Sequence, residues 1–129
     1  MLELGALDRM RDFTFATDTA QAFVAVGEAP ASAVVGELFN AGTGSDVSIG
    51  QLAGDIARLM GVDADVVEDG QRLRPKDSEV RRLLCDATRL RERTGWAPRL
   101  TRDEGLEATI AWFADPANLE RYTLDGYQV

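Results

Sequence analysis

No histidine occurs in this 129-residue sequence. That removes the commonest general base, the usual zinc ligand and every Ser-His or Cys-His nucleophile pair. The single cysteine, Cys85, can neither close an intramolecular disulfide nor build a metal site, and it reads as a small apolar residue. Lysine is nearly missing as well: of 14 basic residues only Lys76 is a lysine. Arg72 stands four positions before it, so there is no Tyr-x-x-x-Lys pair. No apolar run approaches the roughly 18 residues that span a bilayer. The start, Met1-Leu2-Glu3-Leu4-Gly5, has neither the basic nor the apolar stretch of a secretory signal. These absences set the expectation of a cytoplasmic protein with no membrane partner, no metal and no catalytic residue of the usual kinds.

The formal net charge of −8 sets nucleic acid aside, because binding to a phosphate backbone needs a basic surface that displaces counterions. Arginines nevertheless cluster at Arg9 and Arg11, and again at Arg72, Arg74, Arg81 and Arg82. Two such groups fit the two sides of a small anionic site, since a guanidinium fork matches phosphate oxygens. They fit a solvated, ion-paired face equally well.

An apolar fraction of 45% supplies one modest core, so residues 1–129 are expected to form a single domain. Apolar spacing predicts helices over 18–28, 49–60, 86–94 and 102–114. Thr17 or Asp18 is available to cap the first of these. Ser48 with Gln51 and Thr101 with Glu104 have capping-box spacing, and Gly61 and Gly95 suit left-handed stops. Alternation predicts short strands over 11–15, 37–40 and 64–68, with an extended piece over 79–84. The stretch after Pro30, the stretch 69–78 and a tail over 115–129 are expected as loop or extended chain. Trp96 and Trp112 fall beside apolar faces and are expected in the core. The result is a small α/β unit with too few strands for a complete doubly wound sheet.

Little chemistry is on offer. Carboxylate pairs such as Asp63 with Asp65 and Asp103 with Glu104 lie at turns and caps, where they serve helix ends. Gly42-Thr43-Gly44 follows a predicted strand as a dinucleotide loop would, but the third glycine of that pattern is replaced by Val47, so a turn is expected. Asn40 is expected to bond the backbone of that turn.

Taken in order, several segments resemble the second half of extended short-chain dehydrogenases. They are Leu4-Gly5-Ala6-Leu7-Asp8, Arg11-Asp12-Phe13-Thr14-Phe15 with Asp18, and Gly36-Glu37-Leu38-Phe39-Asn40-Ala41-Gly42-Thr43-Gly44 with Ser48-Ile49. Arg74-Pro75, Ser78-Glu79-Val80, Leu83-Leu84-Cys85-Asp86, Gly95-Trp96-Ala97-Pro98 and the run to Trp112-Phe113 complete the pattern. Within that family the chain is most similar to NAD-dependent sugar-nucleotide 4,6-dehydratases of the UDP-N-acetylglucosamine type and, more distantly, to those acting on GDP-mannose; 4-epimerases share the architecture.

The resemblance implies a small carboxy-terminal substrate-binding domain that lacks most of the Rossmann sheet. The parent enzyme's NAD, with its catalytic tyrosine and lysine, would sit on an absent amino-terminal domain, and no cofactor is expected on this chain alone. By position, Arg11 would grip the diphosphate, Arg74 would meet it from the other side, Glu79 would accept from the ribose hydroxyls and Leu4 would lie against the base. Ala6 stands where GDP-mannose dehydratases prefer asparagine, which favours a UDP-sugar. The expected partners are that nucleotide diphosphate sugar and a Rossmann-domain chain or a second copy. The alternative is a stand-alone nucleotide-sugar-binding or oligomerisation module without activity.

Overall fold

The computed structural model describes residues 1–73 and 80–122. Two small sheets organise them. In the first, β1 (Leu2–Leu4) lies parallel to β4 (Val66–Glu68), with Leu4 opposite Glu68. In the second, β2 (Met10–Asp12) is central, antiparallel to β3 (Asp46–Ser48) and parallel to β5 (Arg82–Leu83). Its middle residue, Arg11, therefore faces Val47 on one side and Leu83 on the other.

The helices are α1 (Ala16–Glu28), α2 (Ala31–Val34), α3 (Ile49–Met60), α4 (Thr88–Thr94), α5 (Arg102–Ala114) and α6 (Pro116–Leu119). Helix α3 begins and ends where its sequence says. Ser48 Oγ accepts from the Gln51 amide at 3.1 Å, the Gln51 side chain accepts from the Ser48 amide at 3.3 Å, and Gly61 closes the helix at φ 66°. Helix α5 repeats the device, the Glu104 carboxylate accepting from the Thr101 amide at 2.8 Å. Asp86, expected to cap α4, stands one residue before the N-cap Ala87, which offers no side-chain cap, and accepts from the Thr88 amide at 2.9 Å. The α3–α5 seam carries two ion pairs, the exposed Arg58 with Asp103 at 2.8 Å and Arg102 with the half-buried Asp55 at 3.0 Å. Each such pair contributes only about 0–1 kcal/mol in water.

The core is small. Ala22 of α1 meets Ala87, Leu90 and Trp96 around α4, with Val26, Phe39 and Cys85 packed against them. Leu90 is the only large side chain among the described residues that is fully enclosed. The Trp96 indole N–H donates to the Asp18 carbonyl at 3.1 Å, so the one polar atom of this buried ring is satisfied.

Several expectations are corrected. Helix α1 starts at Ala16 after Phe15, which offers no side-chain cap, and Asp18 lies inside the first turn. There the buried Asp18 carboxylate accepts from the Leu100 amide at 3.2 Å, tying α1 to the α4–α5 connection. The first predicted strand ends at Asp12 rather than at Phe15, because Phe15 turns away to pack on Gly105 of α5, where an added Cβ would lie 3.4 Å from Phe15. Residues 37–40 form no strand, because no other described strand pairs with them. Residues 31–34 after Pro30 are helical, and so is 116–119 in the tail, where Pro116 takes the first helical position. Trp96 is buried, but Trp112 is 40% exposed and stands edge-on to Phe113 and Tyr122 in a surface aromatic cluster.

Candidate functional site

Arg11 and Asp12 sit side by side at the end of the central strand, and the two do opposite work. The half-buried Arg11 is fixed by backbone pairing on both sides, and its Nη1 donates to the Met10 carbonyl at 2.8 Å. Asp12 acts as an internal anion. Its carboxylate accepts from the amides of Thr43 at 3.1 Å, Gly44 at 2.8 Å and Cys85 at 3.3 Å, and from the Thr43 hydroxyl. One side chain thereby latches three segments together: the end of β2, the glycine turn and the approach to α4. Asp8 is ion-paired with Arg9 at 3.1 Å.

That latch also decides what the glycine turn is for. A phosphate loop works by presenting free amides to an anion, yet the Thr43 and Gly44 amides are already spent on Asp12. Gly42 is there for space: a Cβ on it would stand 2.3 Å from Cys85 Cβ. The residues present do not fit a dinucleotide, and the turn is a structural joint, as its missing third glycine suggests.

On the far side of β2, Arg82 and Asp46 reach across the strand from β5 and β3 and form an ion pair. The Arg82 guanidinium holds the Asp46 carboxyl below the usual carboxylate range. Cys85 behaves oppositely: burial, then the charges of Asp12 and Asp86, push its thiol above the ordinary value.

Of the four residues expected to form a site, the structure describes two. Leu4 is half-buried in β1, and its carbonyl accepts from the Asp69 amide at 2.7 Å. This places β1 beside the turn Gly70–Arg72, whose Arg72 backbone comes so close that a Cβ on Gly5 would lie 3.1 Å from the Arg72 carbonyl oxygen. Arg11 lies in β2, whose Met10 amide donates to the Arg81 carbonyl at 3.0 Å. Arg74 and Glu79 lie outside the described residues. Of the described residues on either side of them, Arg72 lies beside Gly5 at the end of β1, and Arg81 accepts from Met10 of β2, the strand that holds Arg11. Sequence reasoning missed Asp12. The signal was an acid next to Arg11 and a downstream glycine turn whose amides need an acceptor.

The fold is that of one part of an extended short-chain dehydrogenase. A Thermotoga maritima UDP-glucose 4-epimerase solved with UDP-glucose superimposes at TM-score 0.77 and 26% identity over 90% of this chain and 35% of that one. An epimerase from Methanothermobacter thermautotrophicus gives 0.79 and 28%, over 92% of this chain and 34% of that one. The model of the GDP-mannose 4,6-dehydratase family matches residues 1–109, and the chain belongs to that family of sugar-nucleotide epimerases and dehydratases. A Mycolicibacterium smegmatis UDP-glucose 4-epimerase is 35% identical over 103 residues, 80% of this chain and 31% of that enzyme. A Pseudomonas aeruginosa GDP-6-deoxy-D-mannose reductase is 31% identical over 113 residues, 85% of this chain and 34% of the enzyme. The chain thus spans about a third of the length of the curated relatives it matches.

Proposed function

We propose that this chain is the nucleotide-sugar-binding third of an NAD-dependent sugar-nucleotide 4,6-dehydratase or epimerase, and that it is not catalytic by itself. The observation that carries the reading is the placement of Arg11. Arg11 is the middle residue of the central strand of a three-stranded sheet and pairs with Leu83 of β5, the strand that follows residues 74–79 in the sequence. Arg11 and Arg74 bracket the diphosphate with charge-assisted hydrogen bonds, each worth about 1.5–3 kcal/mol where partly desolvated. Glu79 accepts from the ribose hydroxyls, and Leu4 lies against the base. A UDP-sugar is favoured, in keeping with the epimerase solved with UDP-glucose. Hydride and proton transfer belong to a nucleotide-binding segment that this chain does not supply, because its one Gly-x-Gly turn is occupied by Asp12. The protein acts in the cytoplasm.

The test is ligand-induced stabilisation. UDP-N-acetylglucosamine raises the melting temperature of the wild-type chain, and Arg11→Ala and Arg74→Ala each remove the rise. A rise that survives both substitutions rules out the clamp. Dehydration or epimerisation of a sugar nucleotide by the pure chain with NAD rules out the claim that it is catalytically incomplete.

A further inference from the structure

The strands around Arg11 are too short to hold their own register firmly. β2 and β3 have three residues each and β5 has two, against the five or six that are usual. A guanidinium that is to meet an anion needs its strand fixed more tightly than so few ladder bonds allow, and the fixing lies on the opposite side of the sheet. Successive side chains of a strand leave on opposite faces. Arg11 therefore shares one face with its cross-strand partners, the buried Val47 and the exposed Leu83, while Met10 and Asp12 leave on the other with Asp46 and Arg82.

On that second face the outer strands are tied twice. Arg82 stands opposite Met10 and Asp46 opposite Asp12, so the ion pair between Arg82 and Asp46 runs diagonally across the backbone of Arg11. Its arginine is exposed, and a tie of that kind holds weakly. Asp12 makes the stronger one. One oxygen of its half-buried carboxylate, Oδ1, accepts from the Thr43 amide at 3.1 Å and from the Thr43 hydroxyl, and the other, Oδ2, accepts from the amides of Gly44 at 2.8 Å and Cys85 at 3.3 Å. Thr43 and Gly44 lead into β3, and Cys85 follows β5. A single carboxylate thus draws both outer strands onto the central one at the residue next to Arg11, through charge-assisted bonds about twice as strong as neutral ones.

We infer that Asp12 is the positioning residue of Arg11: without touching a ligand, its carboxylate fixes β2 between β3 and β5 so that the guanidinium is presented to the diphosphate of a nucleotide sugar. The ligand rests on the functional reading above; the positioning rests on the contacts of Asp12 alone.

Asp12→Ala removes a carboxylate the size of formate and leaves three amides facing the vacated space, so the test is chemical rescue. By titration calorimetry, UDP-N-acetylglucosamine is expected to bind Asp12→Ala about tenfold or more weakly than the wild type, the scale on which residues that orient a binding group act. Added formate restores much of that affinity in the variant and changes nothing in the wild type, whereas chloride at the same ionic strength restores none. Asp12→Asn keeps one acceptor oxygen, falls between the two, and serves if Asp12→Ala does not fold. Thr101→Ala loosens the start of α5 but leaves Asp12 alone, and binds as the wild type does. The Nε–H resonance of Arg11 reads the positioning with no ligand present: it shifts in both Asp12 variants and returns in Asp12→Ala with formate. The inference is overturned by unchanged affinity in both Asp12 variants, by a loss in Thr101→Ala as large as in Asp12→Ala, by formate that leaves Asp12→Ala as it was, or by an Arg11 resonance indifferent to Asp12. A wild-type chain that binds no nucleotide sugar while its Arg11 resonance still answers to Asp12 removes the nucleotide-sugar reading and upholds the positioning.

Discussion

Asp12 shows how much of this fold hangs on single contacts over long sequence distances. It bonds residues 31, 32 and 73 positions away. The turn it holds admits no side chain at its first glycine. Gly42→Ala puts a methyl group 2.3 Å from Cys85 Cβ and 2.6 Å from its Sγ, and overpacking of that kind destabilises by about 1–3 kcal/mol. Gly27→Ala is the control, since nothing lies within 4 Å of the new methyl group in α1, and replacing a helical glycine gains up to about 1 kcal/mol. Urea titrations should therefore move in opposite directions for the two substitutions. The same neighbourhood governs the thiol. Because burial and then the Asp12 and Asp86 charges raise its pKa, Cys85 should alkylate more slowly than a free thiol at pH 8, and faster once the protein is unfolded in urea. An equal rate in both states would remove the argument.

At the scale of elements, local signals and distant partners separate cleanly. Helices α3 and α5 were legible down to their first residues because each start is a reciprocal pair three positions apart, Ser48 with Gln51 and Thr101 with Glu104. Removing one member, as in Ser48→Ala or Thr101→Ala, should cost about 1 kcal/mol in chemical denaturation. The start of α1 was misread for the opposite reason: the partner of Asp18 is Leu100, 82 residues on, and no window of sequence contains both. Residues 37–40 were read as a strand from their alternation, but a strand is completed by a neighbour, and none of the described strands is one. The caps also give a pH dependence. Hydrogen bonds from Thr101 hold Glu104 below its ordinary pKa, and those from Thr88 do the same for Asp86. A carboxylate depressed in the folded state contributes stability that is complete above its unfolded value, roughly pH 4 to 4.5. It is lost as pH falls through the lower folded value, so melting temperature should decline on acidification below about pH 4.5. Glu104→Gln should flatten that decline, and a profile unchanged by the substitution would remove Glu104 from the account.

For the whole molecule, the contrast between a small core and a large exposed apolar face sets the final expectation. One compact cluster around Leu90, 1% exposed, holds α1 against α4, while Phe23 on the same helix is 78% exposed. The two side chains are similar in apolar size and line the same groove, so burial alone separates their contributions. Leu90→Ala should cost about 2–5 kcal/mol, the range for emptying an enclosed leucine site. With stabilities of about 5–15 kcal/mol typical of a domain, that is enough to lower the folded population measurably. Phe23→Ala should stay within about 0.5 kcal/mol, as surface positions do. Measured side by side in urea, a large loss at Leu90 with none at Phe23 says that the face around Phe23 does no work in the isolated chain. A comparable loss at both positions says that Phe23 already has its partner within the chain.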